Sequence, residues 1–142
     1  LGMDALETLG TLEDEAAVAA RHWKAYDFFF LHVKQTDSAG EDGDFSRKTA
    51  EIEMVDRSIP QLRALQPDVL VVTGDHSTPA SIRSHSWHPV PVLMWSKHCR
   101  PDRVQRFDER ACLEGGLGTR FPGRDLMALV LANAGRLAKY GA

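Results

Sequence analysis

Apolar residues are grouped along this chain in short continuous runs and in longer stretches with helical spacing. Residues 28–33 and 69–72 form two such runs, continuous apart from His32 and too short for typical helices. Runs of this kind are typical of central strands in a parallel sheet that helices cover on both faces. A third run reaches Met94 and Trp95 and predicts a neighbouring strand. The pattern therefore predicts an α/β fold with a mostly parallel sheet.

Three stretches have the features of helices that would cover this sheet. Thr11 precedes acids, then alanines, then bases, an order that suits the helix dipole, so we expect a helix over residues 12–25. Residues 45–65 carry apolar side chains at helical spacing, with Asp44 as cap and Pro60 expected to kink or split the helix. This second helix would form a right-handed crossover between two strands. Residues 123–137 predict an amphipathic helix on one sheet face.

Length and charge restrict the function classes. A chain of 142 residues is long enough for one domain with a substantial core and too short for two. It begins at Leu1-Gly2 without an initiator methionine, so we expect a piece of a longer protein. The formal charge of -3 offers no basic field for nucleic acid, and no apolar run approaches the roughly 20 residues that span a bilayer. Cys99 and Cys112 lack metal-ligand spacing, which favours reduced thiols in a cytoplasmic protein.

Candidate chemistry lies where the predicted strands end. Residues 69–72 are followed by Thr73-Gly74 and then by Asp75-His76, and His85 precedes the next strand. A carboxylate and two imidazoles at one edge of the sheet predict a metal site, because active sites of open α/β folds lie at such edges. From Asp75-His76 alone, a solvated turn that Asp75 caps is an equally good interpretation.

An acidic, glycine-containing segment over residues 34–44 follows the first predicted strand, and we interpret it as a loop. Asp37 and Glu41 can converge there on one cation, since clustered carboxylates repel unless a metal or a base neutralises them. Taken alone, an acidic surface loop that ends in the cap Asp44 is the simpler interpretation.

Two further motifs lie outside these segments. Arg83 offers a guanidinium that can bind a phosphate group, and a surface arginine is nearly as good an interpretation. The glycine-rich residues 115–118 do not follow a predicted strand, so they lack the context of a nucleotide-binding loop.

Three motifs taken together resemble one enzyme family. They are Asp37-x-x-x-Glu41, Thr-Gly-Asp-His-Ser-Thr-Pro at residues 73–79 and His-Ser-Trp-His-Pro-Val-Pro at residues 85–91. As a set they are similar to the C-terminal part of the cofactor-independent (2,3-bisphosphoglycerate-independent) phosphoglycerate mutases, archaeal-type branch, in the alkaline phosphatase superfamily. The resemblance covers nearly the whole chain after Tyr26. It implies a partial three-layer α/β/α domain, the C-terminal portion of an alkaline-phosphatase-like domain.

The resemblance also implies a site with two divalent metal ions, manganese or zinc, with magnesium or cobalt as alternatives. Asp37 and His85 would belong to one ion, and Asp75 and His76 to the other. Glu41 stands where the family usually has histidine, so it either binds the first ion or marks the loss of that ion. Two neighbouring cations stabilise both the attacking and the leaving oxygen of a phosphoryl transfer.

In this family the nucleophilic serine and the inserted substrate domain belong to parts that these 142 residues do not contain. We therefore expect a portion of a glycolytic mutase that interconverts 3-phosphoglycerate and 2-phosphoglycerate through a phosphoserine, inactive alone, with the N-terminal part of the same enzyme as its partner. Self-association through exposed strand edges is also expected. The alternatives are another phosphatase or phosphomutase of the superfamily, and a non-catalytic domain with a decayed metal site.

Overall fold

The computed structural model describes residues 2–6 and 11–139, which form two compact units. The first unit comprises Leu1–Gln66 and Thr78–His85, and the second comprises Pro67–Ser77 and Ser86–Ala142. The chain therefore changes unit three times. The expectation of a single domain stays a prediction.

Three helices make up most of the first unit: α1 (Leu12–His22), α2 (Gln35–Glu41) and α3 (Phe45–Ala64). The predicted start of α1 is confirmed, because Thr11 Oγ1 accepts a hydrogen bond of 3.2 Å from the backbone N–H of Asp14. The helix ends at His22, three residues before the predicted end. The most deeply buried apolar side chains of α1 include Ala16, Val18 and Ala19. The apolar face of α1 therefore packs in the core of this unit.

Residues 34–44 are not a loop, because most of them form α2. Gly40 weakened the sequence signal, since glycine is a poor helix former. Its place in α2 follows from packing: a Cβ atom at Gly40 would overlap the carbonyl oxygen of Thr78 and lie 3.0 Å from Lys48 Nζ. As a result, Asp37 and Glu41 lie one helical turn apart on the same face of α2.

The predicted helix over residues 45–65 is confirmed as α3, which begins after the cap Asp44. The Oδ1 atom of Asp44 accepts a hydrogen bond of 2.9 Å from the backbone N–H of Arg47. Pro60 lies inside α3 without splitting it. A proline removes one backbone hydrogen bond from a helix. Only the last turn of α3 follows Pro60, so the helix continues to its end at Ala64.

Lys48 connects α3 to two neighbouring backbone segments of the same unit. Its Nζ donates to the carbonyl oxygen of Thr36 at 3.0 Å and to that of Thr78 at 2.9 Å. The side chain is half-buried, so water competes poorly for these two bonds. Lys48 therefore fixes the start of α2 and the segment Thr78–His85 against α3.

The prediction of a strand over residues 28–33 is wrong, since this stretch has no regular secondary structure. A strand needs a backbone partner, and within residues 2–6 and 11–139 this stretch pairs with none. Phe28 and Phe30 are 45% and 68% exposed, so neither is part of the buried core. The predicted strand–helix–strand crossover is therefore not formed by the described residues.

The second unit contains strands β1 (Val69–Thr73) and β2 (Val92–Ser96), as predicted, but they pair antiparallel. In their register Val69 faces Ser96, Val71 faces Met94, and Thr73 faces Val92. The expected mostly parallel sheet is not found in the described structure, because an apolar run indicates burial without fixing strand direction. The α/β composition is confirmed, and the three-layer arrangement stays an expectation.

The remainder of the second unit consists of short helices and turns. They are α4 (Glu109–Cys112), a 3-10 helix (Gly123–Asp125) and α5 (Leu126–Asn133), which is shorter than the predicted helix over residues 123–137. The loop at residues 115–118 is confirmed, and Asp102 Oδ2 accepts a hydrogen bond of 2.7 Å from the backbone of Gly116 there. This bond and a second one from Val104 lower the pKa of Asp102.

Cys99 and Cys112 are free thiols, as predicted. Burial raises the pKa of the Cys112 thiol, which favours its protonated form. In the part of the chain that the structure describes, no helix has the combined length and apolar character that a membrane crossing requires.

Replacing the α3 cap should destabilise the first unit. We expect Asp44→Ala to lower the free energy of unfolding by about 0.5–2 kcal/mol, because the N–H group of Arg47 loses its acceptor. Urea unfolding measures the difference. Asp56→Ala on the exposed middle of α3 is the matched control and should have little effect, whereas equal losses in both variants would contradict the cap assignment.

Lys48→Met should remove both bonds to backbone carbonyls while keeping most of the side-chain volume. We expect a loss of about 1.5–3 kcal/mol in the free energy of unfolding, the usual range for hydrogen bonds of a charged group. The control is Arg47→Met, one position earlier, whose ion pair with Asp42 is exposed and contributes about 0–1 kcal/mol. A Lys48→Met variant as stable as Arg47→Met would show that Lys48 does not hold these segments together.

Candidate metal centre

Asp37 lies in the first turn of α2 with a side chain that is only 12% exposed. Its two oxygens have different partners. Oδ1 accepts a hydrogen bond of 2.5 Å from Thr78 Oγ1, and Oδ2 forms an ion pair with Lys34 Nζ. The carboxylate is therefore held from both sides, and its charge is already partly compensated.

His85 ends the segment Thr78–His85 and brings an imidazole to the acidic face of α2. Its Nε2 lies 3.5 Å from Asp37 Oδ1 and 3.7 Å from Glu41 Oε1. The two acids reach the same nitrogen because they are one helical turn apart. The side chains of Glu41 and His85 are 50% and 54% exposed, so solutes have access to the cluster from that side.

In the cluster of Asp37, Glu41 and His85, the imidazole Nε2 lies at spacings from the two carboxylate oxygens that are near those of a divalent-cation site. Ligand atoms about 2.1 Å from one ion are about 3.0–3.4 Å apart at octahedral or tetrahedral angles. The separations of 3.5 and 3.7 Å in the cluster are a few tenths of an ångström longer. Two oxygens and one nitrogen suit manganese, zinc, cobalt or magnesium rather than a metal that prefers sulfur. A protonated His85 paired with the two acids is the metal-free alternative.

Asp75 and His76 lie in the second unit, directly after β1. The backbone N–H of His76 donates to Asp75 Oδ1 at 3.0 Å, a bond between adjacent residues of the turn that follows β1. The imidazole Nε2 also lies 3.6 Å from Asp75 Oδ2. Asp75 is 68% and His76 30% exposed in the side chain. The turn and a paired donor set are thus both present.

Arg83 is exposed and has a φ of 55°, in the left-handed region that costs energy for a residue with a side chain. Its side chain lies over Gly43, where a Cβ atom would overlap Arg83 Nε. Gly43 has a φ of +73°, as expected for a glycine just after a helix. Phosphate binding by Arg83 stays a prediction.

Two residues around Asp37 were not identified as part of the site from the sequence. Lys34 and Asp37 are three positions apart, a spacing that indicates contact only once a helix is assigned there. The bond from Thr78 to Asp37 spans 41 positions, and no local pattern predicts such a contact.

Comparison with known proteins places this chain in a family. The sequence profile of the family described as "Metalloenzyme superfamily" matches residues 5–133. A probable 2,3-bisphosphoglycerate-independent phosphoglycerate mutase of Thermotoga neapolitana is 54% identical over 142 residues, which are 100% of this chain and 35% of that protein. Its counterpart from Deinococcus radiodurans is 51% identical over 145 residues, again with 100% and 35% coverage.

A solved structure agrees with the sequence comparisons. The structure of PH0037 protein from Pyrococcus horikoshii superimposes with a TM-score of 0.83 at 40% sequence identity, covering 89% of this chain and 39% of that one. The chain thus spans 35% of the length of the two curated relatives, and its motif resemblance to phosphoglycerate mutases is confirmed. Because the family profile extends over most of the sequence, including all five predicted ligands, this chain belongs to the metalloenzyme superfamily.

Proposed function

We propose that this chain is the C-terminal portion of a metal-dependent phosphoglycerate mutase that interconverts 3-phosphoglycerate and 2-phosphoglycerate in cytoplasmic glycolysis. The observation that carries the proposal is the cluster of Asp37, Glu41 and His85, in which one imidazole nitrogen faces two carboxylate oxygens at 3.5 and 3.7 Å. The similarity to probable phosphoglycerate mutases across the whole chain supports the substrate class.

In this proposal the cluster holds the first of two divalent ions. Asp37 supplies an oxygen whose direction Thr78 fixes, and Glu41 supplies a second oxygen from the next turn of α2. His85 would supply Nε2, which binds an ion only as a neutral imidazole nitrogen that carries no proton. The bound ion would supply positive charge that stabilises the oxygens of the transferring phosphoryl group.

Asp75 and His76 are the proposed ligands of the second ion. Their donor atoms are 3.6 Å apart. The backbone bond from His76 to Asp75 Oδ1 restricts the rotation of the carboxylate. Arg83 is the proposed contact for the substrate phosphate, because a guanidinium pairs with phosphate oxygens through two parallel hydrogen bonds.

The proposed partner is the N-terminal part of the same enzyme, which would contribute the serine that carries the phosphoryl group. Exposed aromatic side chains support such a partner: Phe30, Phe45 and Trp87 are 68%, 74% and 82% exposed. A second copy of this chain is the alternative occupant.

A non-catalytic domain is the rival function, and the ion pair of Lys34 with Asp37 favours it. This pair and a protonated His85 would neutralise the acids without a metal. Lys34 is 58% exposed, however, and an exposed ion pair is weak enough for a divalent ion to compete with it. Metal binding by the folded chain therefore separates the two functions.

The 142-residue chain should bind Mn²⁺, as measured by isothermal titration calorimetry. We expect His85→Ala to weaken binding by at least roughly tenfold, since even outer-shell partners of a metal ligand contribute that much. His98→Ala is the control, because His98 is exposed and its backbone N–H, not its imidazole, donates to Ser96 Oγ. This variant should bind Mn²⁺ like the parent chain. Absence of Mn²⁺ binding, or equal affinity of His85→Ala, would favour the non-catalytic domain.

The chain alone should not convert 3-phosphoglycerate to 2-phosphoglycerate, because the proposed nucleophile belongs to the partner segment. Phosphorus NMR of the substrate with excess Mn²⁺ tests this outcome. The full-length Thermotoga neapolitana relative under the same conditions is the positive control. Product formation by the 142-residue chain would disprove the proposed division of the active site.

A further inference from the structure

Thr78 is one of the few buried polar residues within positions 2–6 and 11–139, with 4% exposure. Its hydroxyl donates to Asp37 Oδ1 at 2.5 Å, within the first unit. Oδ1 is the same oxygen that lies 3.5 Å from His85 Nε2. The hydrogen bond therefore acts on the one atom of Asp37 that faces the cluster.

Lys34 and Thr78 restrain Asp37 unequally. Lys34 holds Oδ2 from a side chain that is 58% exposed, and exposed ion pairs of lysine are weak and screened by salt. Thr78 holds Oδ1 from a buried position, where a hydrogen bond to a charged oxygen is short and strong. Of these two contacts, the hydrogen bond from Thr78 therefore restrains the orientation of the carboxylate more strongly.

The backbone of Thr78 is fixed in turn by two features. Lys48 Nζ donates to its carbonyl oxygen at 2.9 Å. On the other side, the same carbonyl lies so close to Gly40 that α2 leaves no space for a Cβ atom there. A hydroxyl on a restrained backbone has little freedom to move away from Asp37.

From these contacts we infer that Thr78 is a positioning residue, which sets the direction of Asp37 toward the ion that the cluster binds. The inference rests on the proposed metal site. Ligating carboxylates are usually oriented by outer-shell hydrogen bonds, whose loss costs roughly 10- to 100-fold in metal affinity. Thr78 does not touch the ion itself, so its loss weakens binding without removing a ligand.

Four variants of the 142-residue chain test the inference by Mn²⁺ calorimetry, with thermal unfolding in the absence of metal as a second readout. Thr78→Val keeps the shape and loses the hydroxyl, and we expect roughly 10- to 100-fold weaker binding. Thr78→Ser keeps the hydroxyl and should restore the parent affinity. Thr49→Val is the control, because it removes a hydroxyl that bonds the Phe45 carbonyl on the exposed side of α3. Thr78→Ala replaces Thr78→Val if the latter does not fold.

We expect weak Mn²⁺ binding only in the variants without the Thr78 hydroxyl. The melting temperatures of Thr78→Ser and of the parent chain should differ little. Parent affinity in folded Thr78→Val, or equally weak binding in Thr78→Ser, would overturn the inference and leave the metal site standing. If the parent chain does not bind Mn²⁺, the proposed metal site fails, and the role of Thr78 fails with it.

Discussion

A nearly buried carboxylate on α2 is the constraint on which the first unit depends. A charge in such a position costs several kcal/mol of solvation unless hydrogen bonds or opposite charges compensate it. Asp37 receives that compensation from the Thr78 hydroxyl and the Lys34 ammonium. Lys48 on α3 then binds the backbone carbonyls of Thr36 and Thr78, so α2, α3 and the segment Thr78–His85 are connected through Asp37 and Lys48 together.

The same arrangement explains why the cluster suits a cation. Two carboxylates one helical turn apart repel each other, and a neutral imidazole between them does not cancel both charges. A divalent ion among Asp37 Oδ1, Glu41 Oε1 and His85 Nε2 would cancel them with oxygen and nitrogen donors. Glu41 makes this donor set more negative than one aspartate and two histidines would be, which favours hard cations such as manganese or magnesium.

The sequence predicted the secondary structure best where the signal was local. Thr11 and Asp44 mark the starts of α1 and α3 through side-chain caps within three residues, and both are confirmed. Prediction failed where distant residues decide the structure. Gly40 is helical because α2 packs against Thr78 and Lys48, which no local pattern encodes. Residues 28–33 have the composition of a strand but no pairing partner among the described residues. Whether two strands run parallel or antiparallel also depends on how they pair, and β1 and β2 pair antiparallel.

The candidate ligands were predictable because metal donors are a small set of residue types and the motifs around them are specific. The residues that hold these ligands in place were not predictable, since the hydrogen bond from Thr78 to Asp37 joins positions 41 residues apart. The most direct test of the account is anomalous diffraction at the manganese edge from crystals of this chain grown with Mn²⁺. The account predicts an anomalous peak bonded to Asp37, Glu41 and His85. An anomalous peak away from these three residues, with Asp37 still bonded to Lys34 and Thr78, would contradict the account.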